Sequence, residues 1–232
     1  MKDRLYIAAK APRVELTKTR LGRAIGHENA VALYKAFLSD LAARFADAPF
    51  ALGWYVTPPE AWEEIAPLAG RRGRTARVSI QPPGDWTARQ RQLFREGAAR
   101  GEERIVLIAS DSPHLAVGVV EEAFRELDTN DLVFGPTYDG GYYLIGMRGF
   151  HDVLSGIPMS MGTVLDDIAR RAEQIGVSVG WVETTFDVDE VEDLDNLRRI
   201  VATRTDLAAT RSALERLGLH EDDRAPLPNL RG

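Results

Sequence analysis

Short apolar runs alternate with amphipathic stripes along the 232 residues. The sharpest run is IVLIA at 105–109, which stops at Ser110-Asp111-Ser112-Pro113. An unbroken apolar run closed by a polar, proline-containing tetrad predicts a buried parallel strand that ends abruptly in a loop. Residues 5–9, LYIAA, predict a first buried strand, followed by Lys10, Pro12 and a polar loop reaching Arg20. Over 27–45 the residues Ala30, Leu33, Tyr34, Phe37, Leu38, Leu41 and Phe45 fall at helical spacing with one buried stripe. Strands are then predicted at 50–56 and 78–81, with a helix at 58–68 behind Pro-Pro-Glu. The next helix, 87–101, carries Arg89, Arg91, Arg95 and Arg100, read as a solvated face. A helix at 115–127, strands at 131–134 and 142–147, a turn entering a helix at 159–175 and a strand at 177–182 complete the alternation. An acidic segment at 186–194 leads into a helix from 193 to 201 that continues through 219, and 220–232 reads as a frayed tail. Trp54, Trp62 and Trp181 read as core or half-core packing.

Alternating strands and helices with buried-looking strands define an α/β fold: a three-layer α/β/α sandwich with a mostly parallel mixed sheet and right-handed crossovers. The length fits one domain over 1–219. Composition narrows the function. A net charge of -6 and a pI near 5.3 oppose a broad basic surface, so no nucleic-acid partner is expected. No cysteine is present, which excludes disulfides, thiolate metal sites and a cysteine nucleophile. No apolar run approaches a bilayer span and the start, MKDRLYIAAKAP, lacks a signal-peptide core, so a cytoplasmic protein without a membrane partner is expected.

Ligands of open α/β sheets bind at the carboxyl ends of the strands, which puts Asp111 where chemistry is usually done. Its carboxylate reads either as a hard ligand for Mg²⁺ or as the cap of the following turn. Lys10, Lys18 and Arg20, spaced through AKAPRVELTKTRLG after the first strand, read as phosphate-closing cations rather than solvated charges. The glycine pattern of a Walker loop is absent. In GPTYDGGYY, 135–143, Gly140 and Gly141 behind Asp139 permit close backbone approach to a ligand, and Tyr142 and Tyr143 offer a ring face and a hydroxyl; Asp-Gly is equally a hairpin signal. Asp187 and Asp189, alternate residues of an extended segment, can present two carboxylates to one side and with Asp111 make an oxygen cage for Mg²⁺ or Mn²⁺. The helix cap then falls to Glu192 and Asp193. His27, His114, His151 and His220 show no ligand spacing, and no Gly-x-Ser-x-Gly elbow is present.

AKAP with KTRL, then QPPGD, IASDSPHL, GPTYDGGYYLIGM and DVDEVEDL, in that order, resembles the bacterial radical-SAM/selenodomain-associated transferases. These are glycosyltransferase-like proteins of the nucleotide-diphospho-sugar transferase superfamily, of Rossmann-like GT-A fold, related to phospholactate guanylyltransferase and the molybdenum-cofactor nucleotidylyltransferases. The resemblance covers residues 5 to about 201. It implies a nucleotide over the carboxyl edge of the sheet, contacted by Ala8, Lys10, Lys18, Arg20, Gln81, Asp85 and Ser110, with Asp111, Lys18 and Arg20 as the catalytic groups. It implies Asp111, Asp187 and Asp189 on the metal, and Asp139, Gly140, Gly141, Tyr142, Tyr143 and Ser160 on the substrate. Four positions depart from the pattern: Val14-Glu15 stand for Pro-Gly, Thr87 for a glycine, and Met159 for a tryptophan. The expected function is a metal-dependent transferase acting on a nucleotide or nucleotide-sugar and a small acceptor, by nucleotidyl or glycosyl transfer; a degenerate nucleotide-binding or interaction protein is the alternative.

Overall fold

A computed structural model describes residues 3–14, 16–70, 76–157 and 162–220. Its seven strands are β1 (Asp3–Lys10), β2 (Ala51–Thr57), β3 (Arg77–Ile80), β4 (Arg104–Ala109), β5 (Leu132–Pro136), β6 (Tyr142–Arg148) and β7 (Val179–Trp181). They form one sheet in the order β3-β2-β1-β4-β6-β5-β7, in which β6 alone is antiparallel to its neighbours. The described helices are α1 (Thr19–Ile25), α2 (His27–Phe45), α3 (Ala61–Ile65), α4 (Trp86–Ala99), α5 (Val117–Glu126), α6 (Val164–Gln174), α7 (Asp193–Thr203) and α8 (Ala208–Arg216). The architecture is the expected three-layer α/β/α sandwich.

Successive strand residues point to opposite faces, and here both faces are covered. Leu5 and Ile7 of β1 and Val106 and Ile108 of β4 join Leu33, Phe37, Val120, Leu197 and Leu214 of α2, α5, α7 and α8. Tyr6 and Ala8, with Ile105 and Leu107, join Leu93, Phe94, Val164 and Ile168 of α4 and α6 on the other face. Each large side chain buried completely in this way contributes roughly 1.5–3 kcal/mol, which explains why the central strands are apolar without alternation.

The structure departs from the sequence expectations in four places. The first loop ends early, at Lys18, so that Arg20 stands on α1. The helix expected at 58–68 contracts to Ala61–Ile65. The long terminal helix is two helices, because Asp40 of α2 accepts the Ala209 and Thr210 amides at 2.9 and 2.8 Å and so starts a new helix at that point. Trp181 is 47% exposed. The arginines of α4 are not a uniform solvated face either. Arg91 pairs with Asp152 and Arg100 with the buried Glu102, which also receives the Tyr6 hydroxyl at 3.1 Å. The expected tail lies outside the described residues except for His220.

Candidate active site at the carboxyl edge

The chain builds β1, β2 and β3 outward in one direction and then returns to place β4 on the other side of β1. Strand order therefore reverses between β1 and β4, and the crevice beyond their carboxyl ends is the ligand position of open α/β sheets. A cavity of about 450 Å³ opens there. Ala8, Lys10, Lys18, Arg20, Gln81, Ser110, Asp111, Tyr142, Asp187 and Asp189 line it, ten of the residues expected from the sequence.

The loop after β1 is pinned at both ends. The Ala11 amide donates to the Thr57 carbonyl, and the Thr17 hydroxyl returns to the Ala11 carbonyl at 2.8 Å. The next residue, Lys18, sits in the left-handed region at φ 51°, ψ 44°, the one non-glycine residue with positive φ among the described residues. Holding a side-chain-bearing residue there costs on the order of 1–3 kcal/mol, so the surrounding contacts must over-determine it. They do: the ammonium is 2% exposed and bridges Asp111 to Asp189, the latter at 2.9 Å. Burial opposes its charge, but the two carboxylates outweigh burial and hold the lysine above its ordinary value. Asp189 is pushed up by burial and, more strongly, down by Lys18, with Arg20 and Lys10 adding to the fall. Arg20 is 68% exposed, 3.8 Å from Glu190.

Asp187 behaves differently from Asp189. Burial, then the charge of Asp111, raises it to about 7, opposed by the Ser112 hydroxyl bonded to its Oδ1. Among the described residues no group of three His, Asp or Glu side chains is arranged to hold a metal ion. The expected set Asp111, Asp187 and Asp189 does converge on one edge, but as an ion pair around Lys18 plus a carboxyl turned to Ser112. As they stand these residues do not fit a divalent ion.

Long-range contacts fix the backbone of both acidic elements. The Val188 amide donates to the Asp111 carbonyl at 2.9 Å, which docks residues 185–189 against the end of β4. Asp193 takes the amides of Asp189 and Glu190, which precede α7, at 2.8 and 2.7 Å and so folds the acidic segment onto the helix start. Glu192, the residue at the cap position, makes no side-chain cap bond, so neither expected residue caps the first turn through its side chain. His114 stacks on Phe186 with ring centroids 4.3 Å apart and meets the Thr185 hydroxyl at 2.7 Å. Burial, with Arg204 and Arg44 nearby, lowers this histidine to about 4. Arg44 of α2 donates to the Pro113 and Leu115 carbonyls, Arg204 donates to that of His114, and Asp206 binds both guanidinium groups. Tyr34 bonds Ser110 at 2.8 Å and accepts the Lys10 amide at 3.1 Å, tying the two loops; burial and the Asp111 charge push its hydroxyl up to about 12.

The α4 side completes the cavity. Gln81 donates to the Tyr55 carbonyl at 2.7 Å and accepts Arg89 at 3.2 Å. Tyr142 bonds Gln90, and Trp86 and Arg89 line the cavity. Sequence reasoning missed Tyr34, Trp86 and Arg89. Tyr34 fell into a helical stripe, and Arg89 into a run of arginines; only its position after QPPGD set it apart.

Five expected site residues, Asp85, Asp139, Gly140, Gly141 and Tyr143, do not line the cavity. Asp85 caps α4 by accepting the Ala88 amide at 2.8 Å and does not line the cavity. Asp139 accepts the Thr137 hydroxyl at 2.5 Å and the Gly141 amide at 3.1 Å, so the Asp-Gly-Gly segment is a hairpin turn between β5 and β6. Gly140, φ +86°, is needed because a Cβ would stand 2.0 Å from the Gly162 carbonyl oxygen. Tyr143 faces the opposite side of the sheet from Tyr142 and donates to the Glu183 carbonyl at 2.9 Å. Ser160, with Glu15 and Met159, lies outside the described residues.

Comparison with solved structures defines the class. A "putative nucleotide-diphospho-sugar transferase" from Desulfovibrio desulfuricans G20 is similar over 96% of this chain and 99% of its own, with 26% identity and a TM-score of 0.84. A cytidylyltransferase from Leptospira borgpetersenii serovar Hardjo-bovis is 13% identical over 98% of this chain and 99% of its own, at a TM-score of 0.55. CMP:2-keto-3-deoxy-manno-octonic acid synthetase, solved with CTP, is 13% identical over 87% and 99%, at 0.54. At 13% identity the likeness is one of fold. Fold and comparisons place the chain in the nucleotide-diphospho-sugar transferase superfamily. Within it, the chain belongs to the family described as "Uncharacterized protein conserved in bacteria (DUF2064)", whose model matches residues 36–161. No curated protein matches it.

Proposed function

We propose that this chain is a transferase that binds a nucleotide or nucleotide-sugar at the β1/β4 crevice and passes a nucleotidyl or glycosyl group to a small acceptor. The observation that carries the reading is the convergence of Lys10, Lys18, Arg20 and Arg89 on one cavity of about 450 Å³ at the strand-order reversal. That volume falls within the roughly 300–1,000 Å³ of small-molecule sites. Lys10, Arg20 and Arg89 suit phosphates, with Trp86 and Tyr142 offering aromatic surface from the α4 side. Such chemistry needs positioning and charge stabilisation more than a covalent partner, and the chain supplies both through its arginines and lysines. In the nucleotidyl version an acceptor oxygen attacks the α-phosphorus and pyrophosphate leaves. In the glycosyl version it attacks the sugar carbon and a nucleoside diphosphate leaves. The finer resemblance, to the radical-SAM/selenodomain-associated transferases, rests on QPPGD, SDSP and DGGYY and supports the glycosyl version no more than the nucleotidyl one.

Thermal unfolding in the presence of common nucleoside triphosphates and nucleotide-sugars tests the reading, because a ligand at about 100 times its Kd adds roughly 2.7 kcal/mol of stability. At least one should raise the melting temperature of the parent and not of Arg20→Gln or Arg89→Gln. No shift across the panel refutes nucleotide binding. Release of pyrophosphate or of nucleoside diphosphate from the stabilising ligand then decides between the two transfers. A second reading, binding without turnover, is favoured by one observation: Lys18 is wholly engaged by Asp111 and Asp189. A ligand that stabilises the protein yet yields neither product with any acceptor supports that reading.

A further inference from the structure

The carboxylates at this edge invite a divalent ion, and the lysine among them argues otherwise. Lys18 and Asp189 are 171 residues apart in sequence, yet their charged groups meet at 2.9 Å, and the same ammonium contacts Asp111. Three features show that this contact is built rather than incidental. The lysine side chain is buried to 2% exposure while its partners keep 37% and 48%. Its backbone is held in the sparsely populated left-handed region, at φ 51°, at the start of α1. The third carboxyl, Asp187, lines the same cavity but makes no ion pair with Lys18, and its Oδ1 accepts the Ser112 hydroxyl. The arrangement therefore offers a cation two ligands already taken and a third facing a hydroxyl.

We infer that Lys18 is a built-in cation that takes the place of a divalent ion between Asp111 and Asp189, so that the free protein does not bind Mg²⁺ or Mn²⁺ there. A metal ion entering the site would meet a buried ammonium at contact distance and must displace it, against both the like-charge repulsion and the loss of two buried ion pairs. Removing the ammonium while leaving the carboxylates converts the same place into a hard-oxygen site. The inference deepens the nucleotide reading by assigning the site's resident charge. It stands or falls without any nucleotide, so the two fail separately.

The test uses the full chain and Mn²⁺ alone, with bound ion counted from the loss of the free-ion electron paramagnetic resonance signal at neutral pH. The parent should show no saturable site. Lys18→Met and Lys18→Gly should each bind one Mn²⁺ roughly tenfold or more tightly than the parent, since two unpaired carboxylates then face one another. Glycine at this position also relieves the backbone, so one variant retains folding where the other loses packing. Both variants should melt higher with Mn²⁺ than without, and the double variant Lys18→Met/Asp111→Asn should lose the gain. If a variant is unfolded in plain buffer, refolding driven by Mn²⁺ supports the inference as well. A parent that binds one Mn²⁺ and loses it on Asp111→Asn overturns the inference. Two variants that bind no better than the parent and are neither stabilised nor refolded by Mn²⁺ overturn it also.

Discussion

Two aspartate-bearing loops end β4 and β5, parallel strands with β6 between them, and they are held in opposite ways. The 110–115 loop after β4 is satisfied from a distance: Tyr34 and Arg44 reach it from α2, Arg204 from beyond α7, and the Val188 amide from the acidic segment. The 137–141 turn after β5 is largely satisfied by itself, with Asp139 bonded to Thr137 and Gly141 and the Thr137 amide to the Gly141 carbonyl. Both loops place an aspartate, Asp111 or Asp139, beyond the end of a strand. The difference teaches that a loop whose polar groups are filled locally has little left for a ligand. A loop whose backbone is clamped from outside can turn a side chain such as Asp111 into a cavity, where it meets Lys18.

The contrast can be broken by four measurements. The largest effect is expected from Gly140→Val, which puts a branched side chain at φ +86° against the Gly162 carbonyl. Chemical denaturation should show a loss of roughly 3 kcal/mol or more. A smaller loss would mean that the turn can relax and is not the rigid, self-contained element described. Arg44→Met comes next, at about 2–4 kcal/mol, because it strips the Pro113 and Leu115 carbonyls and leaves Asp206 with one arginine fewer. It should also weaken any ligand at the cavity, whereas Gly140 substitutions should not do so at temperatures where the protein stays folded.

The third measurement is a pH profile. His114 titrates near 4 in the folded protein against an ordinary 6.5, with burial the main cause. Below about 6.5 the unfolded chain takes up the proton and the folded chain does not, so stability falls as pH drops from about 6.5 to about 4 and this contribution changes no further below that. The total is about 3 kcal/mol. The stability difference between parent and His114→Phe should change with pH across that window; a flat difference would mean that the histidine does not hold Phe186 and Thr185 as a neutral ring. The smallest effect is expected from Asp139→Ala, about 1 kcal/mol from the lost turn hydrogen bonds, with ligand affinity at the cavity unchanged. A marked fall in acceptor affinity on that change would return Asp139 to the site.

The fold was readable because unbroken apolar runs and period-3.6 stripes are local. IVLIA and LYIAA specify strands, and the stripe from Ala30 to Phe45 specifies α2, without reference to the rest of the chain. The site was readable in its charged members, since Lys18, Arg20, Asp111, Asp187 and Asp189 are conspicuous at strand ends. What escaped was every role assigned by a remote partner. Asp40 looks like a polar residue of a helix and is the cap of α8, from 169 and 170 residues away. Arg44 looks like the end of the same helix and is a carbonyl clamp. The metal expectation was drawn from carboxylates alone, because the lysine that pairs with them becomes their neighbour only when the sheet is assembled.

The separation of Lys18 from Asp189 also sets a calendar for the nascent chain. The first half of the sheet, in which β1 pairs with β2 and β2 with β3, can form early in synthesis, while the cation at its edge gains Asp111 only with the end of β4 and Asp189, 171 residues away, later still. Contacts of such sequence separation form late. The half-made protein thus carries a crevice neutralised in two steps, first by β4 and then by the acidic segment that docks against it.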